Sequence, residues 1–163
     1  LIEGLVRIII FLLYIIGVSK MEDIKRVFEY HGAEHKTIHC YEHEEELIVE
    51  NVRKYPILHP RCGTSFLFMV MIVSILVLSF FGWPNPVKRL LIRVLMFPVI
   101  AGISYEINKL IGRSNSKLAY VISYPGLMIQ KLATVREPDD SQIEVAIEAL
   151  KAVLTDNRED DKW

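Results

Sequence analysis

The sequence predicts an all-α integral membrane protein with about three transmembrane helices. Of its 163 residues, 52% are hydrophobic, which is high for a soluble domain of this size. Residues 64–83 contain no charged side chain, and a helix of that length spans about 30 Å, the thickness of a hydrocarbon core. The formal net charge is only -1 and no basic stripe with interleaved aromatic residues occurs, so we expect no nucleic-acid partner.

Two further apolar segments are predicted to cross the membrane. Residues 1–18 are apolar except for Glu3 and Arg7, which are one helical turn apart and can pair. Residues 90–105 form a shorter segment with Arg93 near one end, where a long side chain can reach the interface. Together with residues 64–83, these segments make up the predicted spans.

The connections between apolar segments predict how they are arranged. A Pro-rich run at residues 82–86 predicts a tight turn, so residues 64–105 should form a helical hairpin. Residues 118–135 are apolar but contain Pro125-Gly126 and Lys131. A re-entrant or interfacial helix is favoured there over a fourth span.

Two polar regions complete the predicted organisation of this single membrane domain. Residues 19–63 form a polar segment, long enough for two helices and a loop, that carries all five histidines. Near the C-terminus, Ser141 and Glu144 stand at capping-box spacing and predict the start of a helix. Apolar residues recur on one face over 138–154, so we expect an amphipathic helix docked on the polar segment, followed by a charged tail at 155–163.

The first chemical motif is His31-Gly32-Ala33-Glu34-His35, which matches the inverted zinc-protease pattern. At helical spacing its two imidazoles are neighbours, and Glu34 can ligate a metal, polarise a bound water or orient a ligand. His39 could supply a third nitrogen if the helix bends. His43 lies beside several glutamates, where a solvated acidic face is the simpler interpretation. For the motif itself, the simpler alternative is a pair of interfacial histidines hydrogen-bonded to nearby acids.

The second motif, His59-Pro60-Arg61-Cys62-Gly63, stands where the chain is predicted to enter the membrane. An imidazole and a thiol three residues apart can chelate a metal if the backbone turns tightly. Burying an unpaired polar group at that place would be costly. The mixture of histidine, cysteine and carboxylate favours zinc, whereas Cys62 taken alone could be a small buried hydrophobe.

Glu106 is a further candidate ligand at the end of the third apolar segment. If residues 90–105 span the membrane, Glu106 emerges on the same side as the polar segment. The alternative is an interfacial Tyr105-Glu106 pair that caps a helix end. The candidate metal ligands are therefore, in chain order, His31, His35, His59, Cys62 and Glu106.

The chain resembles the C-terminal portion of the YqhQ-like family of bacterial membrane proteins. The resemblance covers nearly the whole chain and is carried by Tyr30-His31-Gly32-Ala33-Glu34-His35-Lys36-Thr37, His59-Pro60-Arg61-Cys62-Gly63-Thr64-Ser65-Phe66, Ser104-Tyr105-Glu106 and Glu137-Pro138-Asp139-Asp140. The family is of unknown function and carries the label of a predicted metal-dependent enzyme. The resemblance implies a multi-pass protein of the bacterial cell membrane whose further N-terminal membrane segments precede this chain. The polar segment is expected to face the cytoplasm.

Two functions compete on these observations. The first is a membrane-bound zinc-dependent hydrolase in which Glu34 acts as general base on a metal-bound water. The second is a non-enzymatic scaffold or assembly factor, in which a closed zinc site pins the polar segment to the membrane helix. Metal transport is less favoured, because no carboxylate or histidine lies within residues 64–83. The lipid bilayer is the expected partner, and a protein partner or a second copy of the chain is left open.

Overall fold

A computed structural model describes residues 2–114 and 116–155, and every regular element within these ranges is helical. The all-α fold class is thereby confirmed. The elements are α1 (Ile2–Val18), α2 (Glu22–Glu42), α3 (Val49–Val52), α4 (Gly63–Ser79), α5 (Pro86–Arg113), α6 (Lys117–Ile129), a π-helical turn (Gln130–Thr134) and α7 (Asp140–Lys151).

The chain divides into two compact units. The hairpin unit comprises Leu1–Leu13 and Pro60–Gly126, and therefore contains α4, α5 and most of α1 and α6. The histidine unit comprises Tyr14–His59 and Leu127–Trp163, of which residues 156–163 lie outside the described part of the chain. The predicted tail at 155–163 therefore falls almost entirely outside the described residues.

In the hairpin unit, α4 and α5 pack together. The helix α4 ends at Ser79, four residues before the predicted end of the apolar segment, and Gly82 then adopts a left-handed conformation with φ of 64°. The helix α5 is longer than predicted, since it begins at Pro86. Its N-cap Asn85 accepts a hydrogen bond from the Lys88 N–H at 2.9 Å, and proline is favoured at the first helical position.

One described helix, Pro86–Arg113, is long and apolar enough to cross a membrane by length and composition. The apolar helix Gly63–Ser79 has only 17 residues. A second span would be reached only if α1 and α2 acted as one despite the sharp bend between them. The strongest predicted span, 64–83, is thus a shorter helix, and the 28-residue α5 takes its place as the best candidate.

The helix α6 covers most of residues 118–135, where a re-entrant or interfacial helix is predicted. It runs without a break through Pro125 and Gly126 to Ile129. A Cβ on Gly126 would lie 2.7 Å from Ser65 Oγ, so the glycine allows α6 and α4 to approach closely. The irregularity comes later, as the single π-helical turn Gln130–Thr134.

In the histidine unit, α2 packs against α7. The apolar face of α7 contributes Ile143 and Ile147, which are 1% and 4% exposed. The same core contains Ala33 and Cys40 of α2 and Val52 of α3, all of them buried. Burial of this apolar surface from water stabilises the short helix in its docked position.

The capping box of α7 lies two residues earlier than predicted. Asp139, rather than Ser141, is the N-cap, and its carboxylate accepts the Gln142 N–H at 2.9 Å. In return, Gln142 Oε1 accepts the Asp139 N–H at 2.9 Å, so Gln142 takes the place predicted for Glu144. The Ser141 hydroxyl instead donates to Asp139 Oδ1. The capping box thus satisfies two backbone donors, and an acidic N-cap suits the positive end of the helix dipole.

Candidate metal centre

Four imidazoles of the histidine unit form a contiguous cluster. Three come from α2, where a spacing of four residues keeps successive side chains on neighbouring positions of one face. The ring centroids of His31 and His35 are 4.4 Å apart. His59, from the loop after α3, lies 4.5 Å from His39 and 5.7 Å from His35 between ring centroids. We call these four residues the histidine cluster.

Backbone carbonyls determine which ring nitrogen of His31 and His35 carries the proton. His31 Nδ1 lies 2.8 Å from the Thr134 carbonyl oxygen, and His35 Nδ1 lies 2.6 Å from that of Ile57. Because a carbonyl oxygen can only accept, both Nδ1 atoms are the donors. In the neutral ring Nε2 is then the basic nitrogen, and this is the pattern by which metal-binding histidines are oriented in proteins.

His39 is held in the opposite tautomer. Its Nε2 donates to the Leu58 carbonyl oxygen at 3.0 Å, which makes Nδ1 the basic nitrogen. Burial of this half-buried ring, together with its imidazole neighbours, lowers its pKa from the ordinary 6.5 to about 4, although the Leu58 hydrogen bond opposes this. The ring is therefore neutral near pH 7, the state in which histidine binds metals.

Glu42 adds a carboxylate to the cluster at the last turn of α2. Its Oε2 lies 3.6 Å from Nε2 of His59, whose side chain is 5% exposed. One ligand atom each from His39, Glu42 and His59 lie within 4.8 Å of one another. Two imidazoles and a carboxylate are a donor set used by zinc in proteins, so these residues fit a metal ion chemically.

Gln130 holds the backbone of His59 from the π-helical turn. Its Oε1 accepts the His59 N–H at 3.0 Å, and its Nε2 donates to the His59 carbonyl oxygen at 2.8 Å. The Gln130 side chain is fully buried. The same π-helical turn supplies the Thr134 carbonyl that orients His31, so one irregular turn positions two imidazoles of the cluster.

The glycine of the first motif has a packing role. A Cβ on Gly32 would lie 2.0 Å from the backbone oxygen of Arg136, an impossible contact. The segment after the π-helical turn approaches α2 so closely that the Arg136 N–H donates to the Phe28 carbonyl oxygen at 2.9 Å. Gly32 therefore permits the approach that brings Thr134 to His31.

The other predicted site residues are placed differently. Glu34 is exposed on α2 and has no hydrogen bond or ion pair among the described residues. Cys62 and Glu106 belong to the hairpin unit. Cys62 is 5% exposed and is the N-cap of α4, where its Sγ accepts the Thr64 N–H at 3.4 Å. Glu106 is exposed on α5. The structure thus gathers His31, His35 and His59 within one unit.

Sequence reasoning missed Glu42 and Gln130 as parts of the site. Glu42 begins an acidic run with three further glutamates at 44–46, a pattern that indicates a solvated face. Gln130 is 71 residues from its partner His59, and no local pattern connects them. The one signal in the sequence was a polar amide within an apolar segment, because such a group is buried only with hydrogen-bond partners.

Comparison with known proteins places the chain in a family. The family model described as "Protein of unknown function (DUF1385)" matches residues 1–156. Over 154 residues the chain is 42% identical to "Uncharacterized protein YqhQ" of Bacillus subtilis (strain 168), and the alignment covers 94% of this chain and 48% of that relative. The chain thus spans about half the length of this relative. No solved structure matches the chain. The chain belongs to the DUF1385 family of proteins of unknown function, in agreement with its resemblance to YqhQ-like proteins.

Proposed function

We propose that the chain is part of a membrane protein that binds zinc through His39, Glu42 and His59. The observation that carries this proposal is the approach of their three ligand atoms to within 4.8 Å of one another. Gln130 supports it, because a fully buried amide that fixes the backbone of one ligand limits the movement of that ligand. The simpler alternative is an ion pair between Glu42 and a protonated His59.

The number of proposed ligands, three from the protein, favours a catalytic zinc site and hence a hydrolase. Catalytic zinc sites have three protein ligands and an open position, and zinc bound in this way supplies Lewis acidity and activates water. Glu42 is exposed, so solvent and substrate can reach its side of the cluster. In this proposal Glu34, also exposed on α2, keeps its predicted role as the general base.

A structural zinc site is the second candidate function, and Cys62 is the residue that favours it. Cys62 follows His59 by three residues and is buried, and thiolates are common ligands of closed structural sites. With His31 and His35 as further ligands, as predicted from the motifs, such a site would be closed to water. The protein would then act as a membrane scaffold or assembly factor. Glu106 remains a predicted additional ligand.

Membrane insertion is supported by α5 and its exposed apolar side chains. Leu90, Leu95 and Phe97 are 64–66% exposed along a helix that is long enough to span the bilayer. We extend the proposal to the predicted multi-pass arrangement in a bacterial cell membrane, with residues 1–18 and 64–83 as further spans and the polar segment in the cytoplasm.

Metal analysis of the detergent-purified chain tests the proposed ligands. We expect one zinc per chain in the wild type and a loss of that zinc in His39→Ala, Glu42→Gln and His59→Ala. His43→Ala is the matched control, because His43 is an exposed histidine at the end of the same helix. Far-UV circular dichroism checks that each variant folds. A wild-type chain without stoichiometric metal, or a His43→Ala variant that loses as much zinc as His59→Ala, would refute the proposal.

Cobalt substitution separates the open site from the closed one. If Cys62 is a ligand, the cobalt protein shows sulfur-to-metal charge-transfer absorption that Cys62→Ser removes, and the structural function is favoured. If the spectrum lacks that absorption, the site contains only histidine and carboxylate ligands, and Glu34→Gln should keep the metal and the fold while abolishing function in cells. Glu106→Gln, measured in the same series, tests the predicted additional ligand.

A further inference from the structure

The hairpin unit contains a cavity of about 790 Å³ that plays no part in the histidine cluster. It is lined by the beginning of α1, the end of α4, the turn after it and the beginning of α5. Apolar side chains form most of its wall. Three arginines, Arg7, Arg89 and Arg93, also line it, and among its described lining residues Glu3 is the one carboxylate. The cavity therefore carries an excess of positive charge.

The arginines are held in place by contacts that leave donors available. Arg7 and Arg93 both bond the same oxygen, Oε1 of Glu3, the latter at 3.1 Å. A guanidinium has five N–H donors, and a single carboxylate oxygen cannot satisfy two of these groups. The side chains of Arg7 and Arg93 remain 45% and 40% exposed, so an incoming anion can reach them.

Arg89 is oriented by an aromatic ring at the same end of the unit. Its guanidinium carbon lies 4.4 Å from the centroid of the Trp83 ring, and its Nη2 donates to the Pro84 carbonyl oxygen at 3.3 Å. Trp83 and the nearby Phe80 are 75% and 88% exposed. Exposed aromatic residues at the end of an apolar hairpin are typical of the interface between membrane and water.

We infer that this cavity binds the headgroup of an anionic phospholipid. A guanidinium group can donate two parallel N–H bonds to the oxygens of one phosphate, and the positive end of the α5 dipole also favours an anion. The apolar walls beside these charges suit the glycerol and the upper acyl chains of a lipid. A free inorganic anion would use the arginines but not the walls. The inference shares with the proposed function only the membrane position of α5, and it needs no metal.

The binding test compares lipids in the detergent-purified chain. Native mass spectrometry in mixed micelles with equal phosphatidylglycerol and phosphatidylcholine should show preferential retention of phosphatidylglycerol. Arg93→Gln and Arg7→Gln should each weaken that retention about tenfold, as expected for one charge-assisted contact. Glu3→Gln should strengthen it, because it removes the competing carboxylate. This gain cannot be produced by misfolding.

Matched controls define the results that would overturn the inference. Arg113→Gln removes an exposed arginine from the same helix outside the cavity and should leave lipid retention unchanged. Equal retention of both lipids, an effect of Arg113→Gln as large as that of Arg93→Gln, or displacement of the lipid by excess inorganic phosphate would each refute a phospholipid site. A His59→Ala variant that loses zinc but retains phosphatidylglycerol would show that lipid binding does not depend on the proposed metal site.

Discussion

The side-chain amide of Gln130 forms two hydrogen bonds with the backbone of His59, at 3.0 Å from Oε1 and 2.8 Å from Nε2. Since both residues are buried, the amide satisfies a donor and an acceptor that water cannot reach. It also joins the π-helical turn to the loop that carries a ring of the histidine cluster. Stability and metal binding should therefore be coupled at Gln130.

We predict that Gln130→Leu destabilises the protein by about 2–4 kcal/mol, because it leaves two buried backbone groups without these partners. It should also weaken zinc binding, since His59 loses its fixed position. Chemical denaturation and zinc titration in the same detergent measure the two effects. Gln142→Leu is the matched control, because Gln142 is a buried glutamine that bonds Asp139 and Glu29 away from the cluster. If Gln142→Leu weakens zinc binding as much as Gln130→Leu does, the Gln130 amide has no specific role in positioning His59 for the metal.

Gly32→Ala should destabilise the protein by about 1–3 kcal/mol or more, as overpacking against a fixed backbone does. The added Cβ would meet the Arg136 backbone oxygen at 2.0 Å, so one of the two segments must shift. That shift would move Thr134 away from His31, so zinc affinity is expected to fall if His31 contributes to metal binding. Thermal unfolding followed by circular dichroism measures the loss of stability.

Gly17→Ala is the matched control for Gly32→Ala. Gly17 is also helical, and a Cβ added to it would have no neighbouring atom within 4 Å. Alanine should therefore stabilise α1 slightly, by about 0.5–1 kcal/mol, because it reduces the freedom of the unfolded chain. Equal losses at both glycines would show that the approach of Arg136 to α2 is not what makes Gly32 necessary.

Local patterns in the sequence account for part of the observed fold. Ile143 and Ile147 recur at helical spacing, and such a face can be buried only against another element, so docking of α7 followed from the sequence. The turn at residues 82–86 followed in the same way from glycine and proline. The first two motifs marked His31, His35 and His59, which the fold brings into one cluster.

The features that were missed depend on long-range contacts or on helix ends. The position of Gln130 opposite His59 depends on tertiary packing across 71 residues. The sequence pattern underestimates the length of α5, because Lys88 and Arg89 suggest that the apolar segment begins at residue 90. Charged residues do not end a helix, however, and α5 begins where Asn85 caps it.

Asp139 should make the stability of α7 depend on pH in the acid range. Hydrogen bonds from the Ser141 hydroxyl and the Gln142 N–H lower the pKa of its carboxyl below the ordinary value. A group with a lowered folded-state pKa contributes stability that is complete above the unfolded-state pKa of about 4 and is lost as the pH falls below it. Asp139→Asn keeps an acceptor at the N-cap but cannot titrate.

The measurement for Asp139 is the difference in melting temperature between the wild type and Asp139→Asn at a series of pH values. Because both proteins contain the same other titrating groups, their contributions cancel in the difference. We expect the wild type to be the more stable protein at neutral pH and the advantage to shrink as the pH falls below about 4. A difference that stays constant from neutral to acid pH would contradict the assigned role of the carboxylate.

Lys36, which follows the first motif, is a buried cation with two partners. Its Nζ lies 2.5 Å from Glu137 Oε1 and donates to the Arg53 carbonyl oxygen at 3.0 Å, and its side chain is 5% exposed. Glu137→Gln removes the opposing charge and should cost about 1–2 kcal/mol, less than a fully buried pair because the Glu137 side chain is 65% exposed. The double variant Lys36→Met with Glu137→Gln should lose less stability than the sum of the losses in the two single variants. Once the Lys36 charge is removed, Glu137→Gln no longer leaves a buried ammonium without its carboxylate.

A double-mutant cycle by chemical denaturation measures this coupling. Lys25 and Glu22 provide the matched control, because Lys25 Nζ and Glu22 Oε2 are 3.8 Å apart and their side chains are 46% and 87% exposed. Their coupling should not exceed about 0.5 kcal/mol. A coupling for Lys36 and Glu137 as small as that of the exposed pair would mean that the buried ammonium depends chiefly on the Arg53 carbonyl. In that case Glu137 would not fix the segment after the π-helical turn against α2, and the hydrogen bond from the Arg136 N–H to the Phe28 carbonyl oxygen would hold it there.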